Sequence, residues 1–288
     1  MVSDLERARL TRPGAADDEL LIELAECVLE ELDLSPAVDH AIVASFRDVV
    51  RIEEADIDWS GHISWTSDGL VITVNAAHPR PRQRFTALHE VVHTFFPGFS
   101  MQTQYRCLPS IANGLVHPGD PAVEKLCDAG AAELLFPRRP FLNDLTGNTM
   151  TSSLLRGLAT RYEASLEATA RRIVTLNSEP TLFIAFEVSR KPSQPNNSPA
   201  LRIQYHYSSG QWPFIPKYKA APDDSVFYRA ILDGASDEVT SLASLGMPQI
   251  DNAHVSAIYS PYYDNNGDLH MRVLAVITRP VHTGERRG

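Results

Sequence analysis

Residues 84–96 read RFTALHEVVHTFF, and the spacing of their histidines and apolar side chains decides the fold that the chain should adopt. In a helix of about 3.6 residues per turn, His89 and His93 lie on one face, so both imidazoles can reach one metal ion. Glu90 is rotated by about 100° from His89, which leaves its carboxylate beside the open coordination position of the metal. The stretch therefore predicts a zinc site in which Glu90 is the general base.

The alternative interpretation of this stretch is an amphipathic helix whose two histidines lie near its surface. The surrounding residues disfavour it because they make the helix core-like. These residues are Leu88, Val91, Val92, Phe95 and Phe96. Two neutral imidazoles on a buried helix each need a polar partner, and one zinc ion supplies a partner to both.

A catalytic zinc ion usually takes three protein ligands, so a third ligand should follow downstream. Residues 120–137 begin with Asp and Pro and continue as a predicted helix. Glu124 and Asp128 share one face of that helix. We expect Glu124 to bind the metal and Asp128 to accept a hydrogen bond from a zinc-bound histidine. Rival ligands are His117, Asp120 and Glu133, and a solvated acid in the first helical turn is the alternative for Glu124.

Several ordered blocks of the sequence resemble the ImmA/IrrE family of metallopeptidases. Residues 82–90 are similar to the family's Arg-Phe-Thr stretch leading into His-Glu, and residues 124–137 to its second helix. Residues 153–173 resemble the family's helix-turn-helix-like segment. Residues 69–75 resemble the strand that precedes the family's metal-binding helix. The resemblance implies a zincin-like peptidase domain. It also implies a substrate: a helix-turn-helix transcriptional repressor, cut to release a stress-response or mobile-element programme.

Two positions depart from the family pattern. Val92 occupies a position where the family commonly has Gly, and Gly130 one where it commonly has Phe. A larger residue on one helix and a smaller one on the other can compensate if the two positions touch. Because the predicted metal ligands are intact, we expect these exchanges to affect packing and substrate fit rather than the metal site.

The chemistry of these residues predicts zinc-dependent hydrolysis of a peptide bond, and the family resemblance implies a metallo-endopeptidase. Zinc would lower the pKa of a water molecule, and Glu90 would carry its proton to the leaving amine. Candidates for a second oxyanion donor or a substrate contact are Tyr105 and His117. Manganese is the alternative metal. Alternative functions are a toxin-like or general peptidase, a non-catalytic metal scaffold and a DNA-binding regulator that uses the helix-turn-helix-like segment.

Composition restricts these alternatives. The 288 residues carry a formal net charge of −10, which disfavours direct nucleic-acid binding because an acidic surface repels phosphate. Three cysteines, Cys27, Cys107 and Cys127, argue against a disulfide framework, and Cys127 is expected to be a small buried helix residue. Residues 1–18 lack the apolar segment of a signal peptide, and no apolar run reaches the length of about 20 residues that a membrane helix requires. We therefore expect a cytoplasmic protein.

The predicted fold class is α+β, with three successive parts. Residues 1–150 should form a mainly helical zincin-like domain with a small β-sheet. Residues 151–178 should form the helix-turn-helix-like segment, and residues 180–288 a β-rich sensor or interaction domain. The resemblance to the ImmA/IrrE family implies that this last domain could be GAF-like, since some of its members carry a GAF-type sensor domain here.

Within the first part, residues 18–50 read as two helices, of which the second starts at Ser35-Pro36 and runs toward Val50. Residues 62–74 read as a β-hairpin whose edge could pair with an extended substrate. In the last part, strands are predicted at residues 181–188, 201–207, 225–232, 254–259 and 271–278.

Overall fold

The computed structural model describes residues 2–96, 120–264 and 266–279, together with the backbone of residues 104–107. The chain divides into two compact units. The first unit comprises Met1–Phe141 and Arg161–Ser165, and the second comprises Leu142–Thr160 and Leu166–Gly288. Helices and sheets occur in both, so the α+β class is confirmed. Every helix within the described residues is too short or too polar to span a bilayer.

The helices of the first unit supply most of its core. They are α1 (Asp4–Thr11), α2 (Asp17–Glu31), α3 (His40–Phe46), α4 (Arg80–His93), α5 (Pro121–Leu135) and the start of α6 (Arg138–Leu145). The predicted second helix between residues 35 and 50 is wrong in its extent. Helix α3 ends at Phe46, and Asp48 turns the chain with a φ of 62°. The next residues enter a strand because they pair with a distant segment, and helical periodicity cannot reveal such a pairing.

One sheet in the first unit consists of β1 (Val49–Ala55), β2 (Gly61–Thr66), β3 (Gly69–Asn75) and β4 (Gln104–Cys107), in the order β1-β3-β2-β4. The predicted hairpin is confirmed, since β2 and β3 are antiparallel. Gly69 begins β3 with a φ of +126°, a conformation that L side chains rarely adopt. Strand β3 is buried along nearly its whole length, and α4 packs against β2 and β3.

The hairpin does not offer the free edge that the sequence predicted. Gly61–Ser64 of β2 pair with Gln104–Cys107 of β4 on the side away from β3. The local sequence pattern could not indicate this pairing, because β4 comes from a segment some forty residues downstream of β2. The outer strands of the sheet are therefore β1 and β4, and α4 contacts β4.

Helices α4 and α5 pack together at the two positions that depart from the family pattern. The side chain of Val92 is fully buried, and Gly130 is buried on α5. A β-carbon added at Gly130 would lie 2.9 Å from Cγ1 and 3.0 Å from Cγ2 of Val92. The two positions therefore touch, as compensation requires. Valine is rigid about χ1 in a helix, so its methyl groups cannot turn away easily.

We expect Gly130→Ala to destabilise the protein by about 1–3 kcal/mol through overpacking against Val92. The matched control is Gly157→Ala, because Gly157 is an exposed helical glycine with nothing within 4 Å of an added β-carbon. That control should gain about 0.5–1 kcal/mol from helix propensity.

The measurement is urea unfolding of a double-mutant cycle with Val92→Ala. The cost of Gly130→Ala should disappear in the Val92→Ala background. Equal costs in both backgrounds would show that the contact does not limit side-chain size at this position.

The second unit is built on α7 (Ser152–Arg161, of which residues 152–160 belong to this unit), α8 (Leu166–Leu176), α9 (Val226–Asp233) and a five-stranded sheet. The sheet order is β6-β5-β11-β8-β7, with all neighbouring strands antiparallel. The strands are β5 (Thr181–Ser189), β6 (Ala200–Ser208), β7 (Ala235–Thr240), β8 (Ala253–Tyr259) and β11 (Arg272–Thr278), and a small hairpin is formed by β9 (Tyr262–Tyr263) and β10 (Leu269–His270).

The strand predicted at residues 225–232 is wrong, since this segment is helix α9. Val226, Phe227 and Ala230 are its buried residues, which is a helical spacing with one apolar face. The helix ends at Gly234, whose φ of 81° is left-handed, as is typical of a helix C-terminus. The apolar and β-branched residues of this segment are also common in strands, so the sequence alone does not distinguish a helix from a strand here. The remaining predicted strands of this part are confirmed.

Both faces of the central strands in the second unit are covered. Leu182, Ile184 and Phe186 of β5 belong to the core that includes Phe227 of α9. Phe183 points to the opposite face, where its ring lies 6.3 Å from that of Tyr205. Helix α8 packs against β5, β6 and β11, while α9 packs against β7, β8 and β11. The second unit is thus a sheet with helices packed against its strands.

Candidate metal centre

Helix α4 carries the predicted histidines in the core of the first unit. Pro79 is the residue before the helix and Pro81 lies in its first turn, where proline's missing N–H costs nothing. From Thr86 to His93 every residue of the helix is buried. His89 is 1% exposed and His93 is 0% exposed, so neither ring can obtain its hydrogen bonds from bulk water.

Arg84 anchors α4 one turn before the first histidine. Its side chain is 5% exposed, and its guanidinium donates to the carbonyl oxygens of Val38 at 2.7 Å, Tyr162 at 3.1 Å and Glu163 at 3.0 Å. Burial lowers the pKa of Arg84, opposed chiefly by the charge of Glu163. Three carbonyl groups from two distant segments thereby fix the position of the helix that carries the histidines.

Helix α5 delivers the acidic side chains. Asp120 is its N-cap, with Oδ1 accepting from the amide of Ala122 at 2.9 Å, and Pro121 occupies the first helical position. Glu124 lies one turn later. Helix α5 packs directly against α4, which brings its face to the two imidazoles.

Both imidazoles converge on the carboxylate of Glu124. Nε2 of His89 lies 3.1 Å from Oε2, and Nε2 of His93 lies 3.6 Å from Oε1. The two ring centroids are 5.1 Å apart. The side chain of Glu124 is 25% exposed, so this carboxylate lies at the boundary between the buried rings and solvent.

This donor set fits a tetrahedral metal ion. Zinc bonds to nitrogen and oxygen of about 2.0–2.2 Å hold neighbouring ligand atoms about 3.3 Å apart in a tetrahedron. The separations between each Nε2 atom and its nearest Glu124 oxygen, 3.1 Å to Oε2 and 3.6 Å to Oε1, bracket that value. Two imidazole nitrogens and one carboxylate are also the ligand types that catalytic zinc and related ions prefer. The three side chains can therefore supply three ligands to one such ion.

The second nitrogen of each ring contacts the same helix α5. Nδ1 of His89 lies 2.9 Å from Oδ1 of Asp128, and Nδ1 of His93 lies 3.5 Å from Sγ of Cys127. Asp128 is largely exposed, whereas Cys127 is completely buried. Positions 124, 127 and 128 share one face of α5, and positions 89 and 93 share one face of α4. One helix face therefore contacts both nitrogens of both rings.

A second donor set includes the thiol. His89, His93 and Cys127 offer ligand atoms that all lie within 4.8 Å of one another. However, Sγ lies beside Nδ1 of His93, whereas Nε2 of the same ring faces Glu124. Burial raises the pKa of the Cys127 thiol, so this side chain is a neutral thiol in the absence of a metal ion. The geometry thus favours the histidine, histidine and glutamate set.

The protonation of His93 also suits metal binding. Burial, reinforced by the neighbouring His89, lowers the pKa of His93 to about 3. The ring is consequently neutral at physiological pH, and neutral imidazole is the form that binds a metal ion. Glu90, which follows His89 on α4, is 0% exposed. A carboxylate therefore lies in the dry interior next to the first histidine.

The other predicted site residues fall elsewhere. Asp120 caps α5, and Glu133 is fully buried near the other end of the helix, with its Oε1 accepting from the amide of Arg138 at 2.8 Å. His117 lies outside the described residues, as does the side chain of Tyr105, whose backbone pairs with Ile63. Cys127 is buried, as the sequence predicted, but its contact with Nδ1 of His93 was missed because that contact depends on how α4 and α5 pack together.

The comparisons with known proteins agree with this geometry. Residues 47–174 match the family model Peptidase_M78, the IrrE N-terminal-like domain. A comparison with curated protein sequences gives no match. Among solved structures, the chain is similar in fold to a transcriptional regulator from Mycobacterium tuberculosis, with a TM-score of 0.56 and 12% identity over 95% of this chain and 79% of that chain. Residues 47–174 are therefore an IrrE N-terminal-like domain, the domain of the ImmA/IrrE family of metallopeptidases.

Proposed function

We propose that the chain is a zinc-dependent endopeptidase that cuts a helix-turn-helix transcriptional repressor once and so releases a stress-response or mobile-element programme. The observation that carries the proposal is the convergence of two buried imidazoles on the carboxylate of Glu124, at 3.1 Å and 3.6 Å. The family match supports peptidase chemistry on a protein substrate. Manganese is the alternative metal for the same donors.

Each residue of the centre has a distinct role in this proposal. His89, His93 and Glu124 would hold the ion, which lowers the pKa of water and polarises the scissile carbonyl when it is bound. Glu90 takes a proton from the attacking water and passes it to the leaving amine. Asp128 accepts the Nδ1 proton of His89, which leaves Nε2 of that ring as the ligating nitrogen.

Strand β4 supports a binding mode for an extended substrate. It is an outer strand of the sheet, it contacts the metal helix α4, and among the described residues no strand pairs with its outer edge. An extended peptide can add to such an edge through main-chain hydrogen bonds. We therefore propose that substrate pairs with β4, rather than with the hairpin of β2 and β3. The roles of Tyr105 and His117 as oxyanion donors or substrate contacts remain part of this proposal.

Two observations disfavour the alternative of a DNA-binding regulator. The net charge of −10 weakens attraction to phosphates. In addition, Thr169, Ala170, Ile173 and Val174 of α8 are buried, and this helix packs against the sheet of the second unit. A recognition helix must instead offer a face to the major groove. The segment of α7 and α8 is better suited to scaffolding, and the second unit to a sensor or interaction role, for which a GAF-like fold remains a prediction.

The proposal is tested with the small helix-turn-helix protein encoded in the open reading frame beside this gene. The purified chain with added zinc should cut that protein at one peptide bond, detected by mass spectrometry of the intact fragments. Unrelated unfolded proteins should remain uncut, which excludes a general or toxin-like peptidase. Absence of any zinc-dependent cleavage, or a shift of DNA by the chain itself at physiological salt, would overturn the proposal.

A further inference from the structure

The two histidines of the metal centre differ in what their Nδ1 atoms contact. Nδ1 of His89 lies 2.9 Å from a carboxylate oxygen of Asp128, whose side chain is 61% exposed. Nδ1 of His93 lies 3.5 Å from the sulfur of Cys127, which is 0% exposed. One ring is therefore oriented by an acid that reaches water, and the other by a thiol in the core.

The position of the sulfur follows from helix geometry. Cys127 is three residues after Glu124 and Asp128 is four residues after it, so all three side chains lie on the face of α5 that packs against α4. Glu124 reaches the Nε2 atoms, and the next turn of the helix reaches the Nδ1 atoms. Cys127 thus lies on the side of the His93 ring remote from the carboxylate, where it cannot share an ion bound at Nε2.

We infer that Cys127 is a positioning residue for His93 in the metal centre. Nδ1–H of His93 donates to Sγ, which fixes the tautomer and leaves the lone pair of Nε2 for the ion. Sulfur is a weak acceptor, so this contact orients the ring but polarises it less than Asp128 polarises His89. The inference rests on the proposed metal site and adds a residue that sets its affinity.

The test compares Cys127→Ala with Cys127→Ser in the full-length chain. Alanine removes the acceptor, while serine keeps one at the same position on the helix. Zinc affinity is measured by competition with a chromophoric chelator, and the visible spectrum of bound Co²⁺ reports the geometry of the ligands. We expect Cys127→Ala to weaken zinc binding by about 10–100-fold, as loss of an outer-shell partner does, and Cys127→Ser to recover most of that loss.

Other roles of the cysteine give different results. If it only packs the core, alanine should bind zinc normally and serine should be worse, because serine buries an additional hydroxyl. If it is a direct ligand, the wild-type Co²⁺ protein should show an intense near-ultraviolet thiolate band that both variants lose. Either result would overturn the inference.

The same measurements distinguish this inference from the proposed function. If the wild-type protein binds zinc and cleaves its substrate while Cys127→Ala has unchanged affinity, only the positioning role fails. If the wild-type protein binds no metal, the proposed metal site fails, and the inference fails with it. Circular dichroism of each variant confirms that the compared proteins are folded.

Discussion

Glu90→Gln is expected to reduce peptide-bond hydrolysis by about 10²–10⁴-fold, the usual contribution of general acid–base catalysis, while the protein still binds zinc. Glutamine has nearly the shape of glutamate, so the packing around this fully buried side chain is retained. It cannot take a proton from water, and the proposed ligands His89 and His93 are unchanged. The measurement is the rate of cleavage of the repressor, with zinc content determined on the same sample.

The matched control is Glu133→Gln, the same substitution at another glutamate that is 0% exposed. Its amide oxygen can still accept from the amide of Arg138, so that variant should cleave at close to the wild-type rate. Equal activity of the two variants would contradict the role of Glu90 as a base and would favour a non-catalytic metal scaffold. Loss of zinc from Glu90→Gln would instead indicate that the carboxylate serves the metal directly.

Glu124→Gln should have the larger effect on the metal itself. The substitution removes the negative charge from the group on which both Nε2 atoms converge, at 3.1 Å and 3.6 Å. We expect zinc affinity to fall by more than the roughly 10–100-fold that loss of an outer-shell partner costs, and hydrolysis to fall with it at limiting zinc. The measurement is competition with a chromophoric chelator, followed by activity as zinc is added back.

Two further variants serve as comparisons for the zinc affinity of Glu124→Gln. Asp128→Asn should lose about 10–100-fold in affinity, because it weakens only the acceptor of His89 Nδ1–H. Glu30→Gln, on the exposed surface of α2, should leave zinc binding unchanged. Wild-type affinity in Glu124→Gln, together with loss of zinc in Cys127→Ala, would indicate that the histidine, histidine and cysteine set holds the ion.

The centre could be predicted from sequence to the extent that it depends on helical periodicity. His89 and His93 are four residues apart on a continuous apolar helix, and Glu124 and Asp128 repeat that spacing on the next long helix. Such short-range patterns survive folding because helix geometry is local. The contact of Cys127 with His93 could not be predicted, since it depends on how α4 and α5 are rotated against each other.

The errors in the fold have the same cause. Val49 and Val50, the first two residues of β1, were predicted to end a helix, whereas pairing with β3 decides the conformation of this strand. Helix α9 was predicted as a strand because its apolar and aromatic residues fit either element. The edge of the sheet was misplaced because β4 joins β2 from a distant part of the chain. In each case a tertiary contact overrode a weak local preference.

The close approach of the Val92 side chain to Gly130 on α5 also limits the order in which these two residues could have been substituted during evolution. In the family pattern that this sequence resembles, glycine occupies position 92 and phenylalanine occupies position 130. If valine replaced glycine at position 92 first, its methyl groups would clash with the phenylalanine at position 130, since even a β-carbon there comes within 2.9 Å of a Val92 methyl group. Losing the aromatic ring first leaves only a void, at a cost of about 3–5 kcal/mol. Substitutions at positions 92 and 130 are therefore epistatic. We expect relatives with a β-branched residue at position 92 to have a small residue at position 130.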